Sequence, residues 1–293
     1  MAKLRAQSAM EYLMTYGWAI LIVAVALAAL YQLGVFNPAS LQGKAQPGSC
    51  QVIRPNGPNS TQQIQVQGIC NGQQPQFVAS FSFPSNSYIS IPNGAFPTGS
   101  SARSVFAWIY QTGGTTDYID TFGTSGVTGE WSGLSVNGGN LYFAGWADDY
   151  SSTLAVSQNA WHFVGYTYSA GSTQVTLWLY GKSQTGSLNG GVALSTVLSG
   201  TTSGYIGGPY GCAACGFFGG RIANVQIYNS SLSSNEVQAL YVSGIGGAPI
   251  RLQNLVGWWP LNSNPNDYSG DNLNGIPTNV GYSSGWSSGY TPP

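Results

Sequence analysis

Residues 161–180 read WHFVGYTYSAGSTQVTLWLY, and their pattern decides the fold of most of the chain. In the second half, Val175, Leu177 and Leu179 fall on one face of an extended segment, and Trp178 and Tyr180 fall on the other. Alternation with period two in β-branched and aromatic residues signals a strand, and the Ser/Gly/Thr stretch between the runs signals a turn. Working outward, similar runs recur at Ser104–Tyr110 (SVFAWIY), Asn140–Trp146 (NLYFAGW) and Arg221–Tyr228 (RIANVQIY), separated by Gly and Asn turns. Several short strands at such spacing predict an antiparallel β-sandwich. One helix is expected in this region, over Ser233–Val242. Ser233 and Glu236 have capping-box spacing, Val237, Leu240 and Tyr241 make an apolar stripe, and Gly244 is a stop.

Three stretches carry a family resemblance that covers roughly residues 77–285. Phe83–Pro92 (FPSNSYISIP) resembles an early strand of LamG-like, concanavalin A-type jelly rolls. Trp161–Val164 with Leu177–Gly181 is similar to the central strand pair of that family. Phe218–Asn229, with Leu232-Ser233 and Glu236-Val237, is similar to its closing strand and helix. The resemblance implies a jelly-roll sandwich but no particular ligand, since the superfold hosts many functions. Leu255–Asn262 (LVGWWPLN), followed by Asn266–Asp271 (NDYSGD), resembles the family's first strand and loop, yet here it comes last. The expected domain is therefore 77–293, completed by a C-terminal strand within 255–285. That strand either completes its own sandwich or adds to a neighbouring chain; nearness in sequence favours its own.

A different kind of sequence precedes this domain. Residues 3–36, KLRAQSAMEYLMTYGWAILIVAVALAALYQLGVF, carry no charge from Leu13 to Phe36. A helix over 7–36 is roughly 45 Å long, enough to span a bilayer. The expected fold class is thus a long N-terminal α-helix plus an all-β domain. An ordinary signal peptide cut near Ala26-Leu27-Ala28 fits poorly, because its apolar core is normally about 7–15 residues. An uncleaved anchor with its basic head inside is a second reading, but it offers no role for Glu11. The third rests on residues 5–12, RAQSAMEY, which resemble the archaeal class III signal sequence of type IV pilin-like proteins. That resemblance implies a cut between Ala6 and Gln7 by a membrane aspartic peptidase, loss of the leader 1–6, and retention of the helix 7–36. Glu11 then stands fifth in the mature chain. A carboxylate in an apolar helix is costly unless paired. The new amino terminus of Gln7 in a neighbouring subunit supplies a cation for it; the alternative is that Glu11 snorkels to the headgroups. The implied partners are the prepilin peptidase, an assembly platform, the membrane before assembly, and then other copies of the chain. The implied location is the cytoplasmic membrane as a precursor, then an extracellular filament.

Between helix and sandwich, residues 37–76 read as a hinge (NPASLQGKAQPG, 37–48) and a Gln-, Asn- and Pro-rich collar closed by Cys50 and Cys70. Cys212 and Cys215 form a second local pair, G-C-A-A-C-G. Export favours disulfides. With no second C-x-x-C and His162 remote, a loop staple is a better reading than a zinc site. Asn59 and Asn229 head N-x-[ST] sequons and are candidate glycosylation sites.

Formal charge is −1, and without residues 1–6 six basic residues face nine acidic ones, giving −3. That balance argues against nucleic acid as a partner. Charged residues are 6% of the chain against about 25% in ordinary domains. Solubility must come from neutral polar groups, and a surface so poor in charge suits an acidic exterior.

No catalysis is expected. Glu130 and Glu236 are the only glutamates beyond the helix, Glu236 is taken by the helix cap, and retaining glycoside hydrolysis needs two carboxyls about 5 Å apart. His162 follows a strand Trp and reads as packed or hydrogen-bonded. Glycan binding is the favoured chemistry, because sugars stack on aromatic faces and hydrogen-bond to Asp, Asn and backbone. Trp146, Asp148, Asp149 and Tyr150 offer that mixture at a strand end, with Trp131 and the Asp117–Asp120 loop as weaker candidates. Asp148 and Asp149 are also candidate calcium ligands; no other cofactor is expected. The alternative is that Trp146 is core and the acids cap a turn. The sequence thus predicts a filament subunit with an adhesive, glycan-binding jelly roll. A monomeric membrane-anchored lectin is the alternative, and a jelly-roll glycosidase the third reading.

Overall fold

The computed structural model describes residues 2–33, 35, 42–82, 85–94, 96–114, 116–200, 202–208 and 216–293. The chain divides into two compact units, 1–42 and 43–293. The first is dominated by helix α1 (Ala2–Gln32). Its Met14–Gln32 stretch has mean hydropathy 2.0 and no buried residue, and is long and apolar enough to cross a membrane. Ala6, Gln7 and Glu11 lie on helical backbone, and their side chains are outside the described residues.

The second unit begins with the collar strands β1 (Lys44–Ala45), β2 (Cys50–Ile53), β3 (Gln65–Gly68) and β4 (Gln74–Pro75). Then come β5 (Val78–Phe81), β6 (Tyr88–Pro92), β7 (Arg103–Gly113), β8 (Thr116–Gly123), β9 (Trp131–Asn137), β10 (Asn140–Ala144) and β11 (Tyr150–Ala155). The chain continues through β12 (Trp161–Tyr168), β13 (Gln174–Leu179), β14 (Lys182–Ser187), β15 (Thr202–Ile206), β16 (Gly219–Tyr228) and helix α2 (Ser234–Val242). It closes with β17 (Leu255–Trp259), β18 (Ile276–Thr278) and β19 (Gly281–Ser283).

Two antiparallel sheets face each other. The front sheet has the order β11-β10-β9-β8-β15-β6-β18, and the back sheet β14-β13-β12-β7-β16-β5-β19 with β17 also on β16. Alternation along the strands fills the space between them. Val175, Leu177 and Leu179 join Ile109, Phe122, Leu134, Phe143 and Val164 in one core. Tyr166 meets Phe143 edge-on at 5.0 Å, and Phe96 stacks on Phe122 at 4.7 Å. In α2, the Glu236 carboxylate accepts the Ser233 backbone N–H at 2.8 Å and its hydroxyl at 2.7 Å. Val237 and Leu240 are the buried residues of that helix.

The C-terminal segment expected as one completing strand is instead three short strands that feed both sheets. β17 pairs with β16, β18 with β6 and β19 with β5. Asn224 explains how β16 serves two partners along one side. Its φ of 52° marks a register break in the pairing with β7 between Ala223 and Gln226. Gly220–Ile222 before the break pair with β5, and Val225–Tyr228 after it pair with β17. The Asn224 side chain accepts the Trp258 indole N–H at 2.7 Å and donates to the Gly247 carbonyl, which fixes the break in place.

Cys50 and Cys70 form a disulfide that closes the β2–β3 collar hairpin; Cys212 and Cys215 lie outside the described residues. Arg54 ties this collar to the body. It pairs with Asp271 at 3.1 Å, both side chains being 2% exposed, and donates to the carbonyls of Ser269, Ser60 and Leu255.

Candidate functional site

The two sheets differ in what covers their outer faces. On the back sheet, Phe106, Trp108, Trp161 and Phe163 point away from the core and are all buried. Tyr241 of α2 and Tyr290 of the C-terminal tail lie on Trp108, at 6.1 Å and 5.4 Å between ring centroids. That face is already occupied by the chain itself.

The front sheet presents its own aromatic row. In β9, Leu134 and Val136 enter the core, so Trp131, Gly133 and Ser135 turn outward. Register then places Tyr142 of β10 and Tyr118 of β8 opposite Ser135. It places Tyr205 of β15 opposite Thr121 of β8 and Ser90 of β6. Tyr118 and Trp131 are 5.2 Å apart, Trp131 and Trp146 5.8 Å, and Tyr88 and Tyr205 5.5 Å. Tyr88, Tyr118, Tyr142 and Tyr205 are half-buried; Phe217 stacks on Tyr88 at 6.1 Å and Gly216 lies against the Tyr118 ring.

Trp146 stands at the end of this row, in the Gly145–Asp149 loop between β10 and β11. It is 40% exposed and is not a core residue. Trp146 and Ala147 take φ values of 55° and 58° in succession. A bulky residue in that region costs of order 1–3 kcal/mol and persists only where its surroundings impose it. Here they do. Gly145 N–H donates to the Asp149 carboxylate at 2.9 Å, and Gly129 N–H to the Gly145 carbonyl at 2.8 Å. Asp149 N–H donates to the Asn189 side-chain oxygen. Gly190 passes so close that a Cβ there would lie 2.6 Å from both the Ala147 carbonyl oxygen and the Asp148 carboxylate.

The sequence-derived candidates separate in three dimensions. Trp131, Trp146 and Asp149 come together on the front face. Tyr142 joins them, because its hydroxyl bonds to Asp149; burial first, and then that carboxylate, push the phenol above its ordinary range. Tyr150 does not join: its ring lies over Gly186 at the sheet edge and packs against the core. Asp117 and Asp120 lie in β8, not in a loop, and face Val136 and Leu134 on the core side. Burial raises Asp117 to about 6 and Asp120 well above the ordinary carboxylate range. His162 is held between the Ser157 carbonyl at 2.9 Å and the Tyr180 hydroxyl at 2.6 Å, and burial lowers its pKa.

Asp148 is fully buried beneath the loop, and neither carboxylate oxygen makes a well-formed hydrogen bond. Burial raises its pKa; the amides of Val192 and Gly190 oppose the rise, Asp149 adds to it, and the Gly191 amide opposes it again. Among the described residues no group of three or more His, Cys, Asp or Glu is placed to hold a metal. Of the sequon asparagines, Asn59 and Asn229 are both exposed, and the Asn229 side chain accepts from Asn254 at 2.9 Å.

Tyr88, Tyr118, Tyr142 and Tyr205 were not among the sequence candidates. Their signal is cross-strand register, which no single stretch of sequence displays.

The family model for the concanavalin A-like lectin/glucanases superfamily matches residues 83–238, a little over half of the chain. Among solved structures, the chain is similar to a "putative carbohydrate binding protein" of Bacteroides ovatus, with TM-score 0.56 and 18% identity over 75% of this chain. It covers 63% of that protein's length. It is also similar to the heptameric SAP-like pentraxin of Limulus polyphemus, with TM-score 0.50 and 16% identity over 73% of this chain and 98% of the pentraxin. No curated protein matches it in sequence.

Proposed function

Since the chain belongs to the concanavalin A-like lectin/glucanases superfamily, we propose that its front sheet binds glycans and that the chain is a surface adhesin. The observation that carries this is Trp146, a half-exposed indole held at positive φ beside Trp131. The loop's own hydrogen bonds hold that strain and keep the indole on the surface, where a sugar ring can stack on it. Hydroxyl groups find acceptors in Asp149 and the loop carbonyls. The work is binding, not catalysis, because Asp117 and Asp120 are directed into the core and His162 is engaged by Ser157 and Tyr180. The experiment is glycan binding by the whole chain before and after Trp146→Ala. Loss of binding with an unchanged melting temperature supports the reading, and unchanged binding overturns it.

The adhesin is proposed to be a subunit of an archaeal type IV pilus-like filament. Support comes from RAQSAMEY at residues 5–12 joined to an apolar helix exposed on every described side chain. A helix apolar all round requires burial on all sides, which lipid supplies first and like helices afterwards. Gln7 and Glu11 are the assembly residues in this scheme. Mass spectrometry of sheared surface material tests it. A mature terminus at Gln7 supports processing and assembly. A terminus at Met1 or Ala2 in membranes leaves a monomeric anchored lectin, and a terminus beyond Ala28 removes the helix and ends the filament reading. Measured hydrolysis of a bound glycan would establish the third reading, a glycosidase.

A further inference from the structure

The placement of charge on this domain narrows the ligand. We infer that the front-sheet site takes neutral glycans and discriminates against carboxylated or sulfated ones; the inference rests on the glycan-binding reading above. The second unit, 43–293, has six cationic side chains, Lys44, Arg54, Arg103, Lys182, Arg221 and Arg251. None is available to the site. Arg54 is buried against Asp271, and Arg251 pairs with Glu236 at 3.0 Å. Arg103 is fully buried in the sandwich, where it donates to Ser132, Thr196 and the Gly99 carbonyl. Arg221 lies over the Tyr110 ring at 5.0 Å, on the back sheet. Lys44 is in the collar, within 3.5 Å of the Ser284 carbonyl. Lys182 opens β14, whereas Asn189, which bonds the Trp146 loop, follows the other end of that strand.

Acidic groups are present instead. Asp149 accepts from Gly145 and Tyr142 at the foot of the Trp146 loop, with Asp148 buried beside it. The other groups of the row are neutral: Tyr118, Tyr205 and Tyr88 are half-buried, while Trp131, Ser135 and Thr121 are buried beneath their neighbours. Recognition of a carboxylate or sulfate normally uses an Arg fork or Lys. Here an anion meets no cation and at least one carboxylate, which opposes binding by Coulomb repulsion. Neutral hydroxyls lose nothing to it and gain charge-assisted hydrogen bonds.

The test uses the full chain, in detergent or as native surface material, and matched glycan pairs. One pair is a neutral hexose oligomer and its uronic-acid counterpart; the other is lactose and sialyllactose. The expected result is binding of the neutral member at least tenfold tighter at low salt. The gap should narrow as salt screens the repulsion, and Trp146→Ala should lose at least tenfold in affinity. Equal or tighter binding of the acidic members, still lost in Trp146→Ala, overturns the ligand class and leaves the site standing. No binding by any member, or binding that Trp146→Ala does not change, overturns the site and the class together. The Trp146→Ala melting temperature, read alongside, separates lost contact from lost fold.

Discussion

Trp286 lies edge-on to Trp161, ring centroids 6.1 Å apart, while the Trp161 indole N–H donates to the Trp286 carbonyl at 2.9 Å. The Trp286 indole in turn donates to the Pro75 carbonyl at 3.0 Å. One residue of the tail thus joins the collar end to the back sheet. Truncating such a buried indole removes its transfer energy and leaves a cavity. Trp286→Ala is expected to cost about 3–5 kcal/mol, measured by denaturant unfolding, whereas Val127→Ala, at an exposed position, should stay within about 0.5 kcal/mol.

Trp146 should behave in the opposite way. Its side chain is exposed and its backbone is strained. Trp146→Gly should leave stability unchanged or raise it by up to about 1 kcal/mol, while abolishing glycan binding. A thermal melt and a binding titration on the same sample check both halves.

The buried carboxylates set a pH dependence. Asp117 is raised to about 6, above its unfolded value near 4, so the folded state favours its neutral form. As pH rises through about 4 to 6 the unfolded chain ionises first, and stability falls. Asp120, Asp148 and Asp271 are also raised by burial and act in the same sense. His162 is lowered, so the unfolded chain takes up its proton first below about 6.5 and opposes the trend. Four acids against one histidine predict a higher melting temperature at pH 5 than at pH 7. Asp117→Asn should flatten the slope between pH 4 and 6. A melting temperature that drops steadily from pH 7 to pH 5 would contradict this account.

How legible was this in the sequence? The QVTLWLY alternation, the Ser233–Glu236 cap and the long apolar helix could be read directly, because each is a local pattern with one period. The three-strand C-terminal segment was harder. Only the LVGWW stretch is apolar enough to read as a strand, while β18 and β19 are three residues each, among Gly, Asn and Pro. Trp286 and Tyr290 sit in a Gly- and Ser-rich stretch without alternation, so no local pattern marks the tail as part of the packing. The site was half legible. Trp146 and Asp149 share one loop, but Tyr118 and Tyr142 reach it only through register with Ser135. Asp117 and Asp120 misled because a bulge between Tyr118 and Asp120 shifts which residues face inward.

Arg54 gives the fourth prediction. Arg54→Met leaves Asp271 buried without its cation and should cost about 3–5 kcal/mol at pH 7. Because protonated Asp271 needs no cation, the loss should shrink at pH 5. Parallel urea titrations of the variant and the parent protein at the two pH values measure it.

The Cys50–Cys70 bond also bears on how the domain answers a pull. Tension arriving from the N-terminal side enters through residues 43–50, ahead of every strand of the sandwich. A covalent bridge between residues twenty apart keeps the intervening chain from paying out, withholding up to roughly 70 Å of extension. A collar stapled in this way stays short under load. Reduction should therefore add a discrete lengthening step of that order to its force–extension curve without disturbing the front sheet.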